Sequence, residues 1–378
     1  MDGKSVVGRV GWSQAAVGLI LTLVFFSCSP PEPIRIGFLG GTSGRVADLG
    51  IAGRDAAQLA VEICNQAGGV AGRKVQLIIK NDEQLPEVAQ RGVRELITDG
   101  VVAIVGPMTS AMGMAVVPIA NEARILLISP TATTEELSGR DDFLFRVTST
   151  TGVFASRNAL YQIKAKRMQR VAAVYDLSNE SFTENWLKNF RLAFNKGGGE
   201  IVKTITFKSG SDTKYLEIAR DLLANLPDGV LIIANSMDSA LLCQQIRKLD
   251  AHIPITLSDW GATERLLELG GKAVEGLTVV QTFDRNSTAP RYREFRQAYL
   301  ERFNREPGFA GVYAFDAANV VLEALKKRKE AQSLKETILA VRKFEGLQSP
   351  FSFDDFGDVR RPHVSISIVR DGQFVVVE

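Results

Sequence analysis

The fold class follows from the stretch IRIGFLGGTSGRVADLGIAGRDAAQLAVEI, residues 34–63. Its first six residues suit a buried strand, the next six form a glycine-rich loop, and the remainder repeats apolar side chains at helical spacing. The helical face consists of Leu49, Ala52, Ala56, Leu59, Ala60 and Ile63. A strand, a loop and a helix in this order are the repeating unit of an α/β fold with a parallel sheet.

The same alternation recurs along the chain. Strands are predicted at 34–39, 75–80, 101–105, 124–128 and 143–147, and again at 171–175, 200–207, 230–234, 254–257 and 277–280. Further helices are predicted at 184–196, 215–226, 239–249, 292–303 and 314–327, and two alternating strands at 364–369 and 373–377. The pattern therefore predicts two successive doubly wound α/β lobes, each built on a parallel sheet.

The composition narrows the function. The 378 residues carry 45 Lys+Arg against 43 Asp+Glu, a net charge of +2, so no nucleic-acid partner is expected. Two histidines leave little material for a His-rich metal site or for His-based catalysis, and the common hydrolase, metalloprotease, P-loop and dinucleotide motifs are missing. We expect no enzyme, no cofactor and no metal, and the acidic run 354–358 is interpreted as a turn. Cys64 and Cys243 are predicted to be buried free thiols.

The N-terminal segment has the signature of a secretory signal. Lys4 and Arg9 precede a short apolar run that ends in small residues, which predicts a signal peptide over 1–27. Cys28 occupies the place where bacterial lipoprotein signals carry the lipidated cysteine, and the proline-rich residues 28–33 would form a tether. The alternative is an ordinary cleaved signal with an incidental cysteine. Either way, the mature protein is expected on the periplasmic or cell-envelope side.

Three loops of the first lobe suit a small anion. They are 40–45, 106–110 and 129–136, and each follows a predicted strand and offers hydroxyl groups or free backbone N–H groups at one rim. Helix N-termini carry partial positive charge, which favours a carboxylate. Two alternatives stay open, because Thr133 with Glu136 matches a capping box and Ser110 is equally suited to cap a helix.

The chain also resembles a known family. The runs 106–110 (GPMTS), 128–137 (ISPTATTEEL), 176–182 (DLSNESF) and 270–276 (GGKAVEG) are similar to those of substrate-binding proteins of branched-chain amino-acid ABC transporters. The resemblance implies a type I periplasmic binding fold with two lobes joined by a three-segment hinge. By similarity, residues 34–148 plus 284–347 form the first lobe, and residues 149–283 plus 348–378 form the second.

The resemblance also implies a ligand site. A carboxylate would be bound by the hydroxyls of Ser110, Thr131 and Thr133, with the backbone of Ala132 in the same loop. In the second lobe, family members that bind amino acids usually place two tyrosines and an acid that binds the ammonium group. Near those places this chain has Phe182, Ser236 and Trp260, with Asp259 adjacent to Trp260. Either Asp259 binds an ammonium group, or Phe182 and Trp260 line a pocket for a ligand without an amine, or both aromatic rings only pack under their loop.

The implied function is capture of an amino acid or a related small carboxylate by hinge closure, for delivery to a permease in the membrane to which the lipid anchor holds the protein. One alternative is a sensory module of the same fold that signals to a receptor partner. Another is a binder of a different ligand, such as an amide or an aromatic acid.

Overall fold

The computed structural model describes residues 1–4, 31–360 and 364–378. Every element given below belongs to residues 32–378, which form one compact unit. Cys28 and nearly all of the predicted signal peptide lie outside the described residues. The signal peptide and the lipid anchor therefore stay predictions.

The strands follow the predicted order closely. Those of the first half are β1 (Ile34–Gly40), β2 (Val75–Asn81), β3 (Ala103–Val105), β4 (Leu126–Ser129) and β5 (Leu144–Arg146). Those of the middle are β6 (Arg170–Asp176), β7 (Glu200–Phe207), β8 (Gly229–Ile233), β9 (Ile255–Leu257) and β10 (Thr278–Gln281). The last are β11 (Lys343–Glu345), β12 (Pro350–Phe353), β13 (Val359–Arg360), β14 (Ser365–Arg370) and β15 (Gln373–Val376).

Helices connect these strands. The first lobe contains α1 (Ala47–Gln66), α2 (Pro86–Thr98) and α3 (Ser110–Ala123), and the second contains α4 (Thr151–Lys164), α5 (Glu180–Lys196), α6 (Tyr215–Leu223), α7 (Ser236–Leu249) and α8 (Glu264–Gly270). The chain then forms α9 (Pro290–Phe303), α10 (Gly308–Lys327) and α11 (Leu334–Val341), of which α9 and α10 pack on α1. Short 3₁₀ turns follow β4, β6 and β9.

The two larger sheets confirm the predicted pair of doubly wound lobes. The first sheet has the order β2-β1-β3-β4-β5 and is parallel throughout. The second has the order β15-β14-β10-β9-β8-β6-β7, parallel from β10 to β7, with β14 and β15 antiparallel at the edge. Alternate side chains of β1 enter different cores, because Phe38 packs with α1 and Leu39 packs with α2 and α3.

Helix α10 is the central helix of the first lobe. It is apolar on most of its circumference, as expected for a helix that neighbours surround. Among the described residues, α10 alone is long and apolar enough to cross a membrane, but most of it is buried inside the fold, as in the core helix of a globular protein. The two cysteines predicted to be buried free thiols, Cys64 and Cys243, are both buried and unbridged, which confirms that prediction.

One small three-stranded sheet departs from the predicted division of the chain. Strands β11, β12 and β13 form a small antiparallel sheet, and the Phe353 ring packs edge-on against Phe145 of β5 at 5.3 Å. The turn before β13 extends this contact, since Asp358 forms an ion pair with Arg146. Residues 350–358 therefore belong with the first sheet, and the chain returns to the second sheet after residue 360 instead of at the predicted position 348. The other predicted boundaries stay a prediction.

We expect Asp358→Asn to destabilise the fold strongly. Arg146 is 1% exposed and also donates to the Thr134 carbonyl at 2.7 Å and to the Ser138 hydroxyl at 2.5 Å, so loss of its carboxylate partner leaves a buried cation without compensation. The free energy of unfolding should fall by about 3 kcal/mol in chemical denaturation. The control is Asp355→Asn, whose partner Arg342 is exposed. Equal effects of the two substitutions would contradict the assigned role of Arg146.

Candidate functional site

Two small cavities lie where the carboxyl ends of both parallel sheets meet. The polar cavity, of about 20 Å³, is lined by Thr131, Thr133, Thr148, Phe154, Asp259, Gln281, Thr282, Phe309 and Tyr313. The aromatic cavity, of about 10 Å³, is lined by Leu49, Met108, Thr109, Ser110, Thr131, Asn179, Phe182, Asp259, Trp260 and Phe309. Six of the predicted ligand-binding residues thus come together at one place, although they come from both lobes.

Strand ends position these side chains. Ser110 begins α3 shortly after β3, and Thr131 and Thr133 follow β4. From the other lobe, Asp259 follows β9 and Gln281 is the last residue of β10. The carboxyl ends of neighbouring parallel strands lie at the same sheet edge, so residues far apart in the sequence become neighbours there.

Ser110 organises the loop that follows β4. Its Oγ accepts hydrogen bonds from the backbone N–H groups of Thr133 and Thr134, both at 3.2 Å. The alternative that Ser110 caps a helix is wrong, since Thr109 is the N-cap residue of α3 and Ser110 is already helical. Both loop bonds use Ser110 as an acceptor, so its hydroxyl proton has no acceptor within the described residues and can be donated to a bound molecule.

Thr133 presents an unused hydroxyl to the polar cavity. The residue is 2% exposed, and its Oγ1 is buried without a hydrogen-bond partner among the described residues. The capping alternative is wrong here as well, because Thr134 is the N-cap of the following 3₁₀ turn and accepts from the Glu136 N–H at 3.4 Å. A buried hydroxyl without a partner is costly, and a ligand that accepts its proton would remove the cost.

The two other residues of this loop are engaged in holding it. Thr131 lines both cavities, but its hydroxyl donates to the Met108 carbonyl at 2.5 Å. Ala132 lines neither cavity, and its N–H donates to the Ser129 hydroxyl at 3.0 Å. The structure thus gives the Ala132 backbone a structural role in place of the predicted contact with ligand.

Asp259 is the acceptor of the site. It lines both cavities, and its Oδ1 accepts from the Trp186 indole N–H at 3.0 Å. Loss of solvent around the carboxyl raises the pKa of Asp259 to about 7, although the bond from Trp186 acts in the opposite direction. Within the described ranges, no lysine, arginine or histidine forms an ion pair with Asp259. A cation brought by a ligand would supply the missing counter-charge.

Phe182 and Trp260 form the wall of the aromatic cavity. Their rings meet edge to face with centroids 5.6 Å apart, and the residues are 3% and 6% exposed. The two interpretations of these rings are compatible, because the rings pack on each other and also face the cavity. Such a wall favours an apolar or aromatic group of a ligand.

Ser236 lies elsewhere. It begins α7 and lines neither cavity, and its hydroxyl donates to Asp48 of α1 at 2.7 Å. Thr263 of the second lobe donates to the same carboxylate at 2.6 Å. Because Asp48 belongs to the first lobe, the predicted ligand contact of Ser236 is replaced by a contact between lobes.

A second interlobe contact is made by Arg45, at the end of the glycine-rich loop after β1. Its guanidinium group forms an ion pair with the fully buried carboxylate of Asp238 and donates to the Tyr215 hydroxyl at 2.5 Å. Burial and the bond to Asp238 raise the pKa of Tyr215 to about 12, so the hydroxyl stays protonated and donates to Asp238. Arg45 and Asp48, which bond to the second lobe through Asp238 and Ser236, are called the interlobe bridge below.

Sequence reasoning missed several lining residues. Phe309 and Tyr313 lie on α10, and Gln281 and Thr282 lie at the end of β10. No local motif marks them, since a buried helix and a buried strand present the same residue types wherever they pack. Phe309 also borders a larger outer cavity of about 530 Å³ between the lobes, so this one side chain lines the outer cavity and both inner cavities.

Known proteins match this chain over almost its whole length. A family model described as periplasmic binding protein matches residues 33–372. The Leu/Ile/Val-binding protein homolog 3 of Brucella melitensis is 23% identical over 368 residues, covering 96% of this chain and 98% of that protein.

Two solved structures are also similar to this chain over most of its length. The branched-chain amino acid transporter substrate binding protein LivJ of Streptococcus pneumoniae, in complex with isoleucine, has a TM-score of 0.84 at 25% identity, covering 92% of this chain and 99% of that one. A solute binding protein of an ABC transporter from R. palustris, in complex with benzoate, has a TM-score of 0.83 at 21% identity, covering 92% and 96%.

Thr133→Val tests whether the Thr133 hydroxyl has a structural role. Removal of a buried hydroxyl without a partner should leave the melting temperature unchanged or raise it. The matched control is Thr134→Val, which removes the cap of the 3₁₀ turn and should cost about 1 kcal/mol of unfolding free energy. Thermal and chemical denaturation measure both effects. If the Thr133 variant loses as much stability as the Thr134 variant, the Thr133 hydroxyl has a structural role and is not kept free for a ligand.

Proposed function

This chain belongs to the periplasmic binding protein family, and we propose that it captures an amino acid or a related small carboxylate for an ABC importer in the cleft between its lobes. Its fold is the type I periplasmic binding fold that the sequence predicted. Proteins of this family work outside the cytoplasm, so the site faces the periplasm or the extracytoplasmic space.

One observation carries the proposal. The cleft presents an unpaired hydroxyl donor on the first lobe, Thr133, and an uncompensated carboxyl acceptor on the second, Asp259. An α-amino acid has the complementary pair, a carboxylate that accepts and an ammonium group that donates. The carboxylate would contact the first lobe and the ammonium group the second, and a ligand that contacts both lobes stabilises the shut conformation over the open one.

The energetics are sufficient for capture from dilute solution. A micromolar dissociation constant corresponds to about −8 kcal/mol. Hydrogen bonds to charged groups contribute about 1.5 to 3 kcal/mol each, and contact with the Phe182 and Trp260 wall adds the burial of an apolar side chain. No covalent chemistry is required. The names of the relatives, which bind leucine, isoleucine and valine, support the same ligand class.

An aromatic acid without an amine is the second candidate ligand. The edge-to-face pair of Phe182 and Trp260 favours it, and the R. palustris neighbour is a complex with benzoate. Asp259 distinguishes the two candidate ligands, because an acid without an amine brings no positive charge to the Asp259 carboxyl. Such a ligand would bind best when Asp259 is protonated.

The shut lobes would then be recognised by a membrane permease. In the proposed cycle, the lobes open, the ligand enters from the outer cavity past Phe309, and closure forms the interlobe bridge. Hinge closure of two lobes around a ligand is the general motion of periplasmic binding proteins. A lipid anchor on Cys28 would keep the protein next to the permease.

The pH dependence of binding tests the ammonium contact. The twenty L-amino acids and benzoate are screened by thermal shift, and the best-binding amino acid is titrated by calorimetry at pH 8 and pH 6. Because Asp259 must ionise to pair with an ammonium group and its pKa is about 7, affinity should fall about tenfold from pH 8 to pH 6. Benzoate would show no fall. A screen without any stabilising compound would contradict the proposal.

Asp259→Asn is the matched control for this titration. It keeps an oxygen for the Trp186 bond but removes the charge, so amino-acid affinity should drop and lose its pH dependence. Its effect on stability has the opposite sign. The raised pKa means that the ligand-free fold loses stability as pH rises from about 4 through about 7, and the Asn variant should therefore melt a few degrees higher than wild type at pH 8.

Arg45→Gln tests the interlobe bridge. Its loss leaves the buried Asp238 carboxylate without its cation in the shut form only, so the open form becomes more populated. Small-angle X-ray scattering should show a larger radius of gyration for the ligand-free variant, and amino-acid affinity should weaken at least about tenfold. Arg265→Gln, in the same outer cavity, is the control. Unchanged scattering and affinity in the Arg45 variant would show that the bridge does not govern closure.

A further inference from the structure

Gln281 is a donor fixed in one orientation at the polar cavity. It is 3% exposed and ends β10, and its Oε1 accepts from Arg285 Nη1 at 2.8 Å. A guanidinium group only donates, so the amide oxygen must face Arg285 and the amide nitrogen must face away from it. That nitrogen, Nε2, is buried and has no hydrogen-bond partner among the described residues.

Arg285 is itself held on several sides. It donates to Glu264 at 2.6 Å and to the Ala262 carbonyl at 2.8 Å, and its guanidinium group lies 4.1 Å from the centre of the Phe374 ring. The arginine is thus anchored to the second lobe and cannot follow a rotation of the Gln281 amide. The donor orientation of Gln281 is set before any ligand arrives, which lowers the cost of binding.

The opposite side of the polar cavity carries the second unused donor. Thr133 of the first lobe and Gln281 of the second line the same cavity, and each has a buried polar atom without a partner in the described part of the chain. Both groups can donate a hydrogen bond. A carboxylate can satisfy both donors at once, because its two oxygens accept up to four hydrogen bonds.

We propose that the ligand's carboxylate lies in the polar cavity, bound by Gln281 of the second lobe together with Thr133 of the first. The apolar part of the ligand then points towards Phe182 and Trp260, and Asp259, which borders both cavities, faces the ammonium group. The two cavities, of about 20 and 10 Å³ in this structure, must widen to admit a whole amino acid. This inference rests on the proposed function and adds an acid-binding residue on the second lobe. Recognition of the acid is thereby coupled to closure, since only the shut form brings both donors to it.

The test compares acids with their amides. Calorimetry measures L-leucine, L-phenylalanine and benzoate, each beside its carboxamide, on wild type, Gln281→Leu and Gln281→Glu. Wild type should bind the acids at least about a hundredfold better than the amides. Gln281→Leu should lose about ten- to a hundredfold for the acids and little for the amides, which narrows the ratio. Gln281→Glu should bind the acids still more weakly, because its second oxygen repels a carboxylate.

Small-angle X-ray scattering measures how far the lobes close, a property that would not change if Gln281 had a purely structural role. Saturating L-leucine, L-phenylalanine or benzoate, whichever binds wild type best, should close wild type fully, whereas the Gln281→Leu protein should stay more open at equal occupancy. Melting temperatures of the ligand-free variants identify any failure to fold, and Gln281→Glu provides the second, polar variant if Gln281→Leu is unstable.

The outcomes separate this inference from the proposed function. If no compound of the panel binds wild type, both fail. If the acids bind but both variants keep the wild-type ratio of acid to amide, the carboxylate role of Gln281 is wrong and capture remains. In a third outcome, wild type binds L-threonine much more tightly than its isostere L-valine, and the Gln281→Leu protein does not. That result would show that Gln281 binds the ligand's side chain, which also overturns the inference.

Discussion

Parallel strands deliver their carboxyl ends to one edge of a sheet, and the site of this protein is built on that geometry. In each lobe that edge is where loops leave the sheet and helices begin, and backbone N–H groups and short polar side chains collect there. The two edges face each other across the cleft, so Thr133 and Asp259, which are remote in sequence, border the same small space. The hydroxyl donor Thr133 comes from the first lobe and the carboxyl acceptor Asp259 from the second, so both lobes contribute to this space.

The hydrogen bonds within the site distinguish the polar groups that hold the loop in place from those that are left free to bind a ligand. Most polar groups of the loop after β4 form hydrogen bonds within the protein. Ser110 accepts hydrogen bonds from two N–H groups of the loop, and Arg146 donates one to the Thr134 carbonyl. Two of the buried side-chain groups that lack a partner in the described part of the chain, those of Thr133 and Gln281, line the polar cavity, and the others lie outside it. A rigid loop that leaves only selected donors unpaired is preorganised, so little ordering cost falls on the binding step.

Closure has its own set of contacts, distinct from those around the cavities. Arg45 and Asp48 reach from the first lobe to polar groups of the second, near the outer cavity. Because these contacts join the two lobes, separation of the lobes would break them, and they therefore stabilise the shut state without touching the ligand. Their free energy must stay modest, since lobes that shut firmly without ligand would admit ligand slowly and would no longer couple closure to binding.

Local patterns along the chain were enough to place the elements and to reveal the chemistry of the first-lobe loops. Strand and helix periods put β1 and α1 almost where they are found, and hydroxyl residues after predicted strands indicated the loops that contain Ser110 and Thr133, because these signals are local. The two residues themselves were indicated by the family resemblance. Which side chains meet was settled by packing in three dimensions. The bond of Ser236 to Asp48, the packing of β12 on β5 and the clamp of Arg285 on Gln281 depend on where whole elements pack. Such contacts leave no periodic trace in the sequence, since they arise from the arrangement of segments that are each ordinary when taken alone.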